Sequence, residues 1–392
     1  MQSRLARTLL LALAPIAFGV PAAAAQRGAP RWRAVRELVI GAEDTQALSE
    51  VSDIAVGAEG RIYVVQPAEK TVRVFAPDGR FVRTIGRRGS GPGELRAPGH
   101  AGWRGDTLVV IDPYRVRVTG FLPDGRYAFT LPFVRLGGFL PRALLADGRV
   151  LGSTPFRSDA VASGRTRFDE MRVTTRAARG SVLLARLALR NQTAHVHLDP
   201  AGHPVDSYLP QPFSDADLSD VDPQGRAVVV LSRPAPEAKH GTFTVTRYEP
   251  DGRSRVLAAV RYIPETLRPA MVNDTVAHYA AMFEAMPELH ALGRARVAAA
   301  VRRALYVPRT VPAALAVVAG GDETVWVLRS RAGQTARWMV FDRAGRLLAV
   351  VELPSALAVY AASRGHVWGV VHDADDVPAV HRYRLEPAGV VP

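Results

Sequence analysis

The chain of 392 residues contains no cysteine. Disulfides, thiolate zinc sites, cysteine nucleophiles and a lipidated N-terminal cysteine are therefore excluded. Lysine is nearly as scarce: Lys70 and Lys239 are the only two among 50 basic residues. The formal net charge of +13 is thus carried by arginine. These arginines are scattered, not gathered into a stripe with interleaved aromatics, which argues against nucleic acid as a partner. Weak attraction to anionic envelope polymers is compatible with such a charge. Beyond the N-terminus there is no apolar run long enough to span a membrane. Catalytic signatures are missing as well: no G-x-S-x-G elbow, no HExxH and no calcium loop of the EF-hand type occurs.

What is present begins with residues 1–25, which read as a secretory signal. Arg4 and Arg7 provide a positive start, Leu9 to Val20 an apolar stretch, and Ala23-Ala24-Ala25 a cleavage site before Gln26. The expected mature protein, residues 26–392, is exported to a bacterial periplasm or secreted, with no membrane span after cleavage. Hydrophobic residues make up 48% of the chain, enough for a substantial core.

Two phrases organise that core. One is a large apolar residue, a short polar turn and a glycine: Phe75-Ala-Pro-Asp-Gly79, Phe121 to Gly125, Leu198 to Gly202, Tyr248 to Gly252, Phe341 to Gly345 and Leu385 to Gly389. Proline presets the first corner and glycine accepts the left-handed conformation that closes a hairpin. The other is a polar-glycine or Gly-Asp corner before a β-rich strand, as in Glu59 to Val64, Gly105 to Val110, Asp147 to Leu151, Gln224 to Val229, Asp322 to Val327 and Arg364 to Trp368. The phrases alternate six times, and each pair implies a four-stranded unit. The fold expected is all-β: a six-bladed β-propeller in which the N-terminal strand Val35–Ile40 closes the last blade.

Two stretches interrupt the pattern. Residues 157–181 are charged and read as a long loop or extended hairpin within blade three. Residues 264–305 carry apolar residues at helical spacing, Val276, Tyr279, Phe283 and Met286, and then a second run after Pro287. They read as a helical hairpin inserted between blades four and five, serving as a structural cap or as a lid over a binding site.

The stretch Gly86-Arg-Arg-Gly-Ser-Gly-Pro-Gly-Glu-Leu95, followed by Ala97-Pro98, satisfies G-x-x-x-x-G but lacks the lysine and hydroxyl residue of a phosphate loop, and Pro92 forbids the required helix. It resembles instead the blade connections of exported bacterial six-bladed propellers of the NHL-like and TolB-like superfamily, whose members include binding modules, sensor ectodomains and a few enzymes. Later repeats here lack the GPGE phrase. The resemblance implies a fold and leaves function open. Relatives resembling gluconolactonases hold calcium in the central channel with inner-strand acids and Asn. The inner strands here offer Asp53, His100, Arg142, Asp220 and Tyr360. Two carboxylates make a poor cage for a cation that takes six or more oxygens, so no metal and no cofactor is expected. The set suits a small polar ligand, or ordered channel water as the bland alternative. Tyr306 and Arg309, on the segment leaving the helices, are expected at the channel mouth. His195 and His197 share one strand face but lack a third ligand, and read as surface or packed residues. Trp326 and Trp368 read as packing between blades. No residue is assigned a catalytic role. The leading expectation is a monomeric, non-enzymatic envelope module that binds a protein or small polar ligand. The alternative is a channel-site hydrolase or lyase, lactonase- or esterase-like and metal-dependent.

Overall fold

The computed structural model describes residues 28–41, 47–113, 116–132, 140–153, 167–174, 180–200, 205–234, 239–284 and 286–390. The expected signal, residues 1–25, lies outside them.

Strand β1 is Pro30–Ile40. The first antiparallel sheet holds β2 (Asp53–Val56), β3 (Ile62–Gln66), β4 (Thr71–Phe75) and β5 (Phe81–Ile85). Two short strands, β6 (Arg87–Arg88) and β7 (Glu94–Leu95), pair in parallel. The second sheet holds β8 (His100–Arg104), β9 (Thr107–Asp112), β10 (Arg117–Phe121) and β11 (Tyr127–Pro132). The third holds β12 (Leu140–Leu144), β13 (Val150–Ser153), β14 (Arg167–Thr174) and β15 (Ser181–Leu189). A hairpin of β16 (Thr193–Leu198) and β17 (Val205–Pro210) precedes the fourth sheet, β18 (Leu218–Val221), β19 (Val228–Ser232), β20 (Gly241–Tyr248) and β21 (Ser254–Tyr262). Helix α1 (Pro269–Glu284), a 3-10 turn (Pro287–Leu292) and helix α2 (Arg294–Ala304) follow. The chain then runs through β22 (Ala316–Ala319), β23 (Val325–Ala332), β24 (Thr335–Phe341), β25 (Leu347–Pro354), β26 (Ala358–Ala362), β27 (His366–His372) and β28 (Pro378–Val390).

The result is mostly β and propeller-like. Strand β2 lies beside β8 and β26, β8 beside β12, β18 beside β22, and β22 beside β26. The third and fourth sheets meet where Ala146 N–H donates to the Gly225 carbonyl at 3.0 Å. Alternation drives each sheet: along β20, Gly241, Phe243, Val245 and Arg247 are buried and the residues between them are not. The buried faces of neighbouring sheets then pack on each other, as Phe243 and Val245 do with Val325, Val327 and Met339.

β1 ties the two ends of the chain together. It runs antiparallel to β28 from Pro30 opposite Val390 to Ile40 opposite Val380. Over Arg31–Arg33 it also runs parallel to β25, which joins β22–β25 and β26–β28 into one eight-stranded sheet. Arg31 pairs with Glu352 at 3.0 Å and Arg33 with Glu386 at 2.7 Å. Trp32 sits 6.5 Å from the buried Trp326.

Three sequence expectations need correction. Within residues 157–181, expected as a long loop or extended hairpin inserted in the blade, residues 167–174 form β14, which pairs with β15 as a hairpin and also with β13, so this part is a strand of the sheet and not an insertion. Met171 and Val173 are buried there, an alternation masked by the charged Glu170 and Arg172 that alternate with them. The turn phrase Leu198–Gly202, whose last two residues lie outside the described ones, follows β16, and among the described residues β16 and β17 pair only with each other and join no four-stranded sheet. Finally, the phrase Leu385–Gly389 makes no hairpin. It lies inside β28, and β1 supplies the strand that such a turn would have led to.

The surplus hairpin has a partner. Ala194, Val196, Leu198 and Leu209 form a satellite core with Val276, Phe283, Val297 and Val301 of the helices. The second helical run begins as a 3-10 turn at Pro287, and α2 starts only at Arg294, after Gly293. The excursion closes at its neck: Val311 N–H donates to the Glu265 carbonyl at 2.8 Å and Leu267 N–H to the Arg309 carbonyl at 3.1 Å.

The glycine-rich crossing from β5 to β8 is held by its own acid. Glu94 accepts Gly91 N–H at 2.7 Å and meets Arg87 Nε at 3.0 Å. The Gly91 N–H, followed by Arg87, holds this carboxyl below its ordinary value. Asp112 accepts both Arg96 and Ala97 N–H groups as the chain enters β8.

Gly225 provides a test of contact between neighbouring sheets. Its φ is +67°, and a Cβ would fall 2.4 Å from the Leu144 carbonyl oxygen. Left-handed strain and overpacking together predict that Gly225→Ala lowers stability by about 2–4 kcal/mol, measured by urea denaturation.

Candidate functional site

Two cavities adjoin at the ring axis. The larger, about 740 Å³, opens where inner strands turn back into second strands. Turn residues of five inner-strand ends contribute: Gly57–Arg61, Gly105–Asp106, Pro223–Gln224, Gly321–Asp322 and Ser363 with His366. No described residue of the third sheet lines it. Trp103 N–H donates to the Pro223 carbonyl at 2.7 Å, so β8, besides lying next to β12, bonds directly to the turn after β18. Behind this bond lies the smaller cavity, about 80 Å³, which includes His100, Arg142 and Asp222 in its lining. Asp53 and Asp220 line both cavities.

These two aspartates do the same local job. Asp53 accepts Ile54 N–H at 2.8 Å from its own strand and Ala101 N–H at 2.9 Å from the next inner strand, β8. Asp220 accepts Ala319 N–H at 2.7 Å from the inner strand β22, and the Val221 N–H also favours its charged form. Each carboxylate stitches one inner strand to its neighbour, and a hydrogen bond to a charged group contributes roughly 1.5–3 kcal/mol. Their electrostatics differ. Burial pushes the Asp220 carboxyl up from 3.8 to about 6. The Ala319 and Val221 N–H groups oppose this, and repulsion from Asp53 outweighs attraction to Arg142. Asp220 is enclosed by protein yet faces the cavities, so the full effect of burial is tempered by water there.

The other expected residues divide. His100, half exposed, stands 3.7 Å from Asp53, at the outer limit of an ion pair. Tyr360 lines the larger cavity and donates its hydroxyl to the Val51 carbonyl at 3.3 Å. Asp53, His100, Arg142, Asp220 and Tyr360 are therefore brought together around the axis. Tyr306 and Arg309 line neither cavity. Tyr306 N–H donates to Gln211 Oε1 at 2.9 Å, and Arg309 sits at the neck of the excursion. The helices pack on the β16–β17 hairpin, so the segment leaving them starts away from the mouth.

Several lining residues escaped sequence reasoning. Asp106 and Asp322 occupy the corner phrases themselves, whose regular spacing marked turns but not the end of the ring they share. Trp103 is 7% exposed and packs edge-on against Tyr63 at 5.0 Å, with both on the cavity wall. Trp368, read as packing, is also a wall residue, whereas Trp326 is wholly buried.

His195 and His197 do acquire a shared partner. Asp206 Oδ1 lies 2.7 Å from His195 Nε2 and 2.9 Å from His197 Nδ1, and Tyr208 stacks on His195 at 4.9 Å. The His197 and His195 hydrogen bonds hold Asp206 below the ordinary carboxylate range. Among the described residues no group of three or more His, Asp or Glu is arranged to hold a metal ion.

Asp220 makes stability depend on pH. Its folded value lies above its unfolded one, so its contribution is whole below about pH 4 and is lost as pH rises through about 6. Asp220→Asn keeps an oxygen for Ala319 N–H and cannot ionise. Between pH 4 and 7.5 the variant gains on the wild type by about 1–3 kcal/mol, read by urea denaturation at both pH values. A constant difference would remove the assignment of this shift to Asp220.

Residues 38–99 match the family profile described as a 6-bladed beta-propeller, DUF5128. No curated protein matches the chain. Solved structures similar to it include a DUF4221 family member from Bacteroides vulgatus, with 9% identity, coverage of 92% of this chain and 99% of that one, and a TM-score of 0.48. A gluconolactonase from Xanthomonas campestris has 11% identity, coverage of 92% and 98%, and a TM-score of 0.42. A virginiamycin B lyase from Staphylococcus aureus has 10% identity, coverage of 91% and 100%, and a TM-score of 0.42. The matched residues span the end of β1, the first sheet and the crossing after it.

Proposed function

We propose that this chain is an exported six-bladed β-propeller that binds a small polar ligand or an envelope protein at its channel mouth, without catalysis. The blade count treats the eight-stranded sheet as two blades linked through β1, alongside the four separate four-stranded sheets. Residues 1–25 are the cleaved signal and 26–392 the propeller, a monomer in the bacterial periplasm or secreted. The helical insertion, residues 264–305, lies between blades four and five and caps the β16–β17 hairpin. No helix among the described residues is long and apolar enough to cross a membrane.

The observation that carries the binding reading is the cavity of about 740 Å³ at one end of the ring. It is concave, within the size range of small-ligand sites, and has a few polar groups converging from different sheets. A second reading draws on Asp220. A carboxyl held at about 6 beside Asp53 and Arg142, with His100 on the same small cavity, has the protonation range of a general acid or base. It supports a channel-site hydrolase or lyase of the lactonase or esterase type.

A thermal-shift screen of small polar ligands should show saturable stabilisation of the intact protein. Ester and lactone panels, with and without calcium, should show no protein-dependent turnover. Sustained turnover overturns the binding module in favour of the second reading. N-terminal sequencing of the exported protein should begin at Gln26, and retention of Met1 would remove the cleaved signal.

A further inference from the structure

The charge of the larger cavity opposes that of the protein. The chain carries +13 overall. Five carboxylates, Asp53, Glu59, Asp106, Asp220 and Asp322, line the cavity against two guanidiniums, Arg61 and Arg382. Both guanidiniums are already engaged: Arg61 meets Glu59 at 3.4 Å, and Arg382 meets Glu37, outside the lining, at 2.7 Å. Asp322 has Arg364 at 3.7 Å. Among the described residues, Asp53, Asp106 and Asp220 have no arginine or lysine within salt-bridge distance. An excess of one sign inside a low-dielectric recess focuses the field on whatever enters it.

The wall between these acids is aromatic, formed by Tyr63, Trp103, Tyr360 and Trp368. Ring faces attract cations, and indole most strongly. Trp103 and Trp368 are each 7% exposed, and their indole N–H groups have no hydrogen-bond partner among the described residues.

Resting on the binding reading above, we propose that the mouth takes a small organic ammonium ion, seated among Asp53, Asp106 and Asp220 against the Trp103 and Trp368 wall. A compact inorganic cation is a poorer occupant, because the carboxylates come from separate turns and two of them already accept backbone N–H groups.

The test is calorimetric titration of the intact protein at low ionic strength and pH 7.5 with n-butylammonium, n-butanol and butyrate. Butylammonium should bind saturably, with the alcohol and the carboxylate at least about tenfold weaker. Added salt should weaken binding, by screening. The double variant Asp53→Asn/Asp220→Asn should lose about tenfold in affinity. Asp106 is exposed on a turn, so Asp106→Asn leaves the fold intact and should lose about threefold. Butanol or butyrate binding as tightly as butylammonium overturns the cation assignment while leaving a binding mouth in place. Unchanged affinity in Asp106→Asn and in the double variant overturns it as well. Failure of all three probes also overturns it, and the wider ligand screen then decides the binding reading separately.

Discussion

A ring of sheets is only as complete as its last joint, and here that joint is the pairing of β1 with β28. Without it, β28 and β25 would each present an unpaired edge, a template for pairing with another chain. β1 covers both at once, antiparallel to one and parallel to the other. The ion pairs of Arg31 and Arg33 and the Trp32–Trp326 contact lie on the segment where both pairings coexist. Everything at the axis depends on this closure, because β26 stands beside β2 only when the first and last sheets meet.

At the axis, two carboxylates both join inner strands and line the cavities. Asp53 and Asp220 accept the N–H groups of neighbouring inner strands, and this alone would justify acids there. Yet both also line the cavities, and the Asp220 carboxyl is pushed up to about 6 by burial and by its like-charged neighbour Asp53. The Trp103–Pro223 bond sharpens the division, separating a small polar recess from a wide mouth while the two aspartates belong to both.

Much of the architecture was legible because turn chemistry is local. Asp-Gly corners and apolar alternation act within a few residues, so the phrases at Gly60, Gly79, Gly105 and Gly125 mark the first two sheets correctly. Legibility failed where a local signal lacked its distant partner. The turn phrase at Leu198–Gly202 sits in a hairpin whose apolar face is covered by helices some 80 residues further on, which no turn motif encodes. β14 was hidden because its outward residues are charged. At the site, Asp53, His100, Arg142, Asp220 and Tyr360 could be read by counting inner strands, since each strand start faces the axis. Tyr306 and Arg309 could not, because their position follows from where the helices dock. Asp106 and Asp322 were visible as corners, but their convergence belongs to the closed ring.

The register of the closing strand also has a mechanical meaning. Pro30 lies opposite Val390, so the two ends of the chain leave the ring at the same place. A pull applied to both ends would load the β1–β28 hydrogen bonds one after another, as in a zipper, and not all together as in shear. The joint that makes the ring complete is therefore its softest point under tension, while force applied elsewhere on the circumference would meet whole sheets.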